Sequence, residues 1–241
     1  MPRLISRAVG TAVATLLIST WTAPAWAGSK AVKAPSGHPI VRLVAESQSA
    51  SPKDITLLAV ANPLDRENLA GSAAVVRLDD GRDGGVPICW LIELAGKAYG
   101  PGKIDSQFQL SVCPAGPAKG VQLARVAISG RHEAWQVRIE SARYDSKAQG
   151  VESAALWGLY GKYGTTETRA LWERTSTTFK SKTDVTMNQA ETCGTPEITA
   201  GSQEPEAVTV HCDTETMLGK LPKRAKQSFR SAWMGDRYSM N

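Results

Sequence analysis

The sequence predicts an all-β protein, mainly an antiparallel meander forming a sandwich or barrel, with a short C-terminal helix; α+β is the alternative class. Three observations carry this reading. Apolar runs are short and punctuated by Gly, Pro, Asn and Asp. Trp135, Val137 and Ile139 alternate with Gln136, Arg138 and Glu140, the period of a half-buried strand. No repeat of solenoid or propeller length interrupts the succession.

The elements follow from the N-terminus. Residues 1–27 read as a cleaved secretory signal, with Arg3 and Arg7 ahead of an apolar stretch centred on residues 14–18 and Ala25-Trp26-Ala27 at the cleavage site. Four threonines, Gly10 and Pro24 make it a poor membrane span, which wants about 20 predominantly apolar residues. The alanine-rich leader reads as bacterial more than eukaryotic. Residues 28–38 form a flexible lead-in, and Ile40–Val44 predicts the first strand. Further strands are expected over Ile55–Val60, Ala73–Leu78, Ile88–Leu94, Val121–Ile128, Glu152–Tyr160 and Thr165–Phe179, with a helical turn over Leu64–Leu69. The Asp-Gly and Gly-Gly pairs within 79–85 predict a turn, and a hairpin joins Thr192–Thr199 to Ala207–Cys212. The β-rich domain thus spans 39–216. Residues 217–241 form a basic tail, with a helix from Leu221 to Trp233 that opens on Pro222 and stops at Gly235.

Four cysteines, Cys89, Cys113, Cys193 and Cys212, fit two disulfides in an exported chain. The local pairings Cys89–Cys113 and Cys193–Cys212 are favoured, each closing a short loop worth about 3 kcal/mol. Zinc wants clustered ligands such as Cys-x-x-Cys, which this sequence lacks.

The stretch ALWGLYGKYGTTETRALW, residues 155–172, places two tryptophans in one hairpin. A turn about Lys162 and Tyr163 opposes Trp157 to Thr168 and puts both rings on one uncharged face, roughly 13 Å apart. That is too far to sandwich one ligand, so both rings are expected in the core.

Chemistry is sparse. His132 opens HEAWQ, with Gln136 where a zinc helix needs its second histidine, and it precedes a strand pattern. His38 lies in the lead-in, and His211 adjoins Cys212. No Gly-x-Ser-x-Gly elbow occurs, and Asp79–Asp83 lacks the alternating ligands of a calcium loop. No catalytic, cofactor or metal set is assigned. The leader holds two of the 28 basic residues and none of the 23 acidic ones, so the remainder is only mildly basic, which argues against nucleic acid as a partner. The concentrated feature is the tail, where Lys220, Lys223, Arg224, Lys226 and Arg230 interleave with Phe229 and Trp233. These are the candidate contact residues for an anionic envelope surface or another protein. The expectation is an exported, non-enzymatic binding or structural module, periplasmic or extracellular. A small secreted hydrolase and an inhibitor presenting the Cys113–Gly120 loop are the alternatives.

Overall fold

The computed structural model describes residues 37–239 apart from 62–70, 80, 82–85, 97–101, 115–119, 146–148, 182–187 and 219–220. The leader, the helical turn expected over 64–69, the centre of the 113–120 loop and Lys220 lie outside the described residues. No described helix is long and apolar enough to cross a membrane.

The protein is mostly antiparallel β, as its punctuation predicts. Strands β1 (Ile55–Ala61), β2 (Ser72–Leu78), β3 (Ile88–Ala95) and β4 (Lys103–Gln109) form a four-stranded meander. Strands β5 (Gln122–Ala127), β6 (Glu133–Asp145), β7 (Gly150–Gly161), β8 (Arg169–Ser181), β9 (Gln189–Cys193), β10 (Glu197–Ala200), β11 (Pro205–Leu218) and β12 (Leu221–Ala232) form the second sheet. This larger sheet curls into a half-barrel. Ser129, beyond β5, bridges to Gly201, beyond β10, and the Gly130 N–H donates to the Gly201 carbonyl at 2.8 Å.

Two expected elements are corrected. Residues 40–44 are helical, within α1 (Pro39–Gln48), not a strand. Their β-branched content favours extended chain, but Ile40, Val41, Val44 and Ala45 recur at helical spacing and pack on Ile55, Leu57, Val76 and Ile92. His38, far from idle, caps this helix: its Nδ1 accepts from the Ile40 N–H at 3.3 Å, and Pro39 starts the first turn. The expected C-terminal helix is likewise absent. Residues 221–232 are β12, paired along its whole length with β11, which itself runs unbroken across the expected 216/217 boundary. Alternating Val208, Val210, Cys212 and Thr214 on β11 supply a ladder that outweighs the helix propensity of Ala, Lys, Arg and Gln.

Three apolar clusters hold the layers. Helix α1 covers the outer face of the small sheet. Between the sheets lie Leu58, Val75, Leu91, Trp135, Val137, Ile139, Leu156 and Tyr160. Inside the curl of the large sheet lie Trp157, Leu159, Leu171, Trp172, Val208, Val210 and Tyr238.

Both hairpin tryptophans are therefore core residues, 3 % and 7 % exposed. The register differs from the expected one. Trp157 faces Arg174, Leu159 faces Trp172, and the ladder shifts between Leu159 and Tyr160. The extra residue, Leu171, lets Ala170 serve the inter-sheet core while Leu171 and Trp172 serve the curl. The two rings thus sit diagonally, two residues apart in register, and not four.

Cys89 pairs with Cys113 and Cys193 with Cys212, the local connectivity. Cys193 and Cys212 are directly opposed on β9 and β11. Neighbouring ladder bonds run from the Gly194 N–H to the His211 carbonyl, so the cysteines occupy a non-hydrogen-bonded pair, where side chains approach most closely. Cys89 lies near the start of β3 and Cys113 in the crossover toward β5, so this bridge ties the small sheet to the chain entering the large one.

Candidate interaction surface

The β11–β12 hairpin is the prominent surface element. Residues 221–228 of β12 are all exposed, Leu221 to 75 %. The strand carries Lys223, Arg224, Lys226 and Arg230 and no acidic residue. Strand geometry sorts these bases differently from a helix. Arg224, Lys226 and Arg230 share the outer face, whereas Lys223 lies on the face that continues toward Phe229 and the curl. Acidic residues sit one strand inward: Arg224 Nε meets Glu215 at 2.8 Å, and Lys226 stands opposite Asp213. The outermost strand therefore presents bases, with their counter-charges set behind them.

The base of the hairpin is anchored. Phe229 lies beneath the Arg174 guanidinium, 3.7 Å from the ring centroid, and Arg174 also reaches Glu191 at 2.5 Å. Trp172 Nε1 donates to Ser231 Oγ at 3.1 Å. Trp233 does not join the basic group. It stacks between Tyr163 and Tyr238, at 4.6 and 4.9 Å, and Tyr163 in turn meets His132 at 4.5 Å. Burial pushes the Tyr238 phenol well up, so it is neutral at any physiological pH.

His211 makes the contact that most resembles chemistry. Its Nδ1 lies 2.7 Å from Ser228 Oγ, and its Nε2 lies 3.9 Å from Glu197. The three stand on an open strand face, with 58 % of the His211 side chain and 72 % of Glu197 in water. A hydroxyl polarised there gains little, because bulk water screens the pair and solvates any developing charge. Glu191, Cys193 and Cys212 also place ligand atoms within 4.8 Å of one another, but the two sulfurs are bonded to each other and offer no thiolate to a metal.

A polar cluster that the sequence does not announce bridges the two sheets. Lys162, just beyond β7, reaches Glu93 of β3 at 2.6 Å and Asp105 of β4 at 2.5 Å. Glu93 also accepts from Trp135 Nε1 at 2.9 Å, and Ser106 meets Thr168 across the same seam. Partial burial pulls the Lys162 ammonium down, but its hydrogen bonds to Asp105 and Glu93 outweigh that and hold the group above its ordinary value. The Lys162 hydrogen bond holds the Asp105 carboxyl below its usual range. A cleft of about 240 Å³ opens here, lined by Glu93, Asp105, Trp135 and Lys162. With each charge already partnered, the cluster reads as an inter-sheet clasp.

Lys162→Met should therefore cost about 1–2 kcal/mol near pH 7, between the values of exposed and buried pairs. Asp105 is stabilised above the unfolded carboxylate range, and that contribution fades as pH falls through its lowered value. The variant lacks it, so the difference in urea midpoint should shrink toward pH 3. A constant difference across that range would contradict the clasp.

No protein-family model, curated protein or solved structure matches the chain.

Proposed function

We propose that the protein is an exported, non-enzymatic binding module that meets an anionic partner through the β11–β12 arm. The carrying observation is the arm itself: eight consecutive exposed residues on an outermost strand whose charges are all positive. Two disulfides suit an oxidising compartment outside the cytosol. Each histidine has another occupation, since His38 caps α1, His132 stacks on Tyr163 and His211 stands on the open face. That arrangement ranks binding above hydrolysis.

Replacing Lys223, Arg224, Lys226 and Arg230 together by glutamine tests the reading. A base near an anionic surface contributes about 1 kcal/mol, so loss of all four should weaken association with isolated cell envelope at low salt on the order of 1000-fold. Wild-type association should fall as salt rises. Equal association by the variant would remove the arm from the function.

A further inference from the structure

We infer that the arm binds by strand addition: the free edge of β12 accepts an extended polypeptide segment carrying acidic residues at alternate positions. This rests on the arm being the contact element and names the partner that fits it.

The ladder shows which backbone groups are available. The Trp233 N–H donates to the Glu206 carbonyl at 2.8 Å, so alternation turns the odd residues of β12 toward β11 and the even ones outward. Ala232 confirms the phase, since its N–H points outward to Ser239 Oγ at 3.1 Å. Among the described strands β12 pairs with β11 alone, so the outward N–H and C=O groups of Arg224, Lys226 and Ser228 line an uncovered edge. Pro222, also at an outward position, has no N–H to offer and marks where the accepting run stops.

The protein already uses this edge at its other end. The chain turns at residues 234–237, Trp233 bridges antiparallel to Tyr238, and the Ser239 N–H donates to the Ala232 carbonyl at 2.8 Å. Tyr238 and Ser239 thus form an isolated bridge against the outer edge of β12. The edge accepts an antiparallel segment in the geometry that a longer guest would continue toward Arg224.

Charge selects the guest. On the outer face, Arg224 and Lys226 stand two residues apart, where side chains of an added strand meet their cross-strand neighbours. Acidic residues at alternate guest positions pair with them. A second copy of β12 would instead place bases against bases, the arrangement by which edge strands avoid self-association. Main-chain bonds supply affinity and the alternation supplies specificity.

The probe is a ten-residue peptide of alternating glutamate and valine. Its control has the same composition with all glutamates at one end, and vesicles containing phosphatidylglycerol report charge-only binding. The alternating peptide should bind the oxidised protein at least about tenfold more tightly than the block peptide. Ser228→Pro removes one outward N–H without altering charge or the β11 ladder, and should cut peptide affinity about tenfold while leaving vesicle binding unchanged. In wild-type protein, nuclear Overhauser contacts should link the amides of Arg224, Lys226 and Ser228 to the peptide backbone. Equal binding of both peptides, or absence of those contacts, overturns strand addition. If vesicles bind and the glutamine variant loses them while neither peptide binds, the arm remains the contact element and its partner is a lipid headgroup. Loss of neither peptide nor vesicle binding in the glutamine variant overturns the arm as well.

Discussion

Gly158→Ala is expected to destabilise the protein by about 3 kcal/mol, at the upper end of overpacking penalties. A methyl group at this position would lie 2.4 Å from Tyr160 Cε2 and Oη and 2.5 Å from Cζ. The Tyr160 ring folds back over Gly158, two residues earlier on the same face, and its hydroxyl donates to Glu173 at 2.6 Å. Glu173 is the cross-strand partner of Gly158, so the ring fills the space that a side chain would otherwise occupy. Tyr160 is fully buried and also packs on Phe108 of the small sheet, 5.2 Å between centroids, so it has nowhere to retreat. Burial first, then the nearby Glu173 carboxylate, pushes its phenol far above the ordinary value and keeps it a neutral donor. Urea unfolding measures the loss. The double variant Gly158→Ala/Tyr160→Ala should show strong coupling, because removing the ring also removes the clash. A midpoint for Gly158→Ala within error of wild type would mean the ring does not lie there.

Removal of either disulfide is expected to cost about as much. The bridges span 24 and 19 residues, and loops of that size contribute about 3 kcal/mol in the chain-entropy picture. Cys89→Ala/Cys113→Ala should loosen the junction between the sheets, and Cys193→Ala/Cys212→Ala should open a cavity inside the curl, where both sulfurs are buried. Loss of both approaches the whole stability of a typical domain, so reductant alone should unfold the protein at 37 °C. Unfolding midpoints that do not move on full reduction would show that the apolar clusters suffice.

The legible parts of the fold were those written locally. Alternation in β6 marks a strand because it depends only on near neighbours. The disulfide pairing was readable for the same reason, each bridge closing a short loop. The errors fall where tertiary context decides. Ile40-Val-Arg-Leu-Val44 has strand composition, yet it is helical because the outer face of the small sheet needs a cover. The segment from Leu221 to Ala232 has helix composition, yet β11 offers it twelve partners in register. Two residues, Gly219 and Lys220, separate two runs of similar length, and that spacing was the available hairpin signal. Strand β4 went unassigned because Ile104, Ser106 and Phe108 alternate with polar residues too weakly hydrophobic to stand out. The Glu93–Lys162–Asp105 clasp had no signal at all, since its members are brought together from three strands' ends by sheet stacking.

The same contrast holds for the candidate contact residues. Composition singled out Lys223, Arg224, Lys226 and Arg230, but only strand pairing shows that three share a face and that the backbone of Arg224 and Lys226 lies on an edge paired with no other described strand. Trp233 belonged to the aromatic stack, a placement set by the return of the chain at Tyr238.

Amide hydrogen exchange of the oxidised protein, with and without isolated cell envelope, tests the proposal that the arm makes the contact. Protection should appear in β12, strongest at Arg224, Lys226 and Ser228, with the cleft around Glu93 and Lys162 unchanged. New protection at that cleft, with β12 exchanging as freely as before, would contradict it.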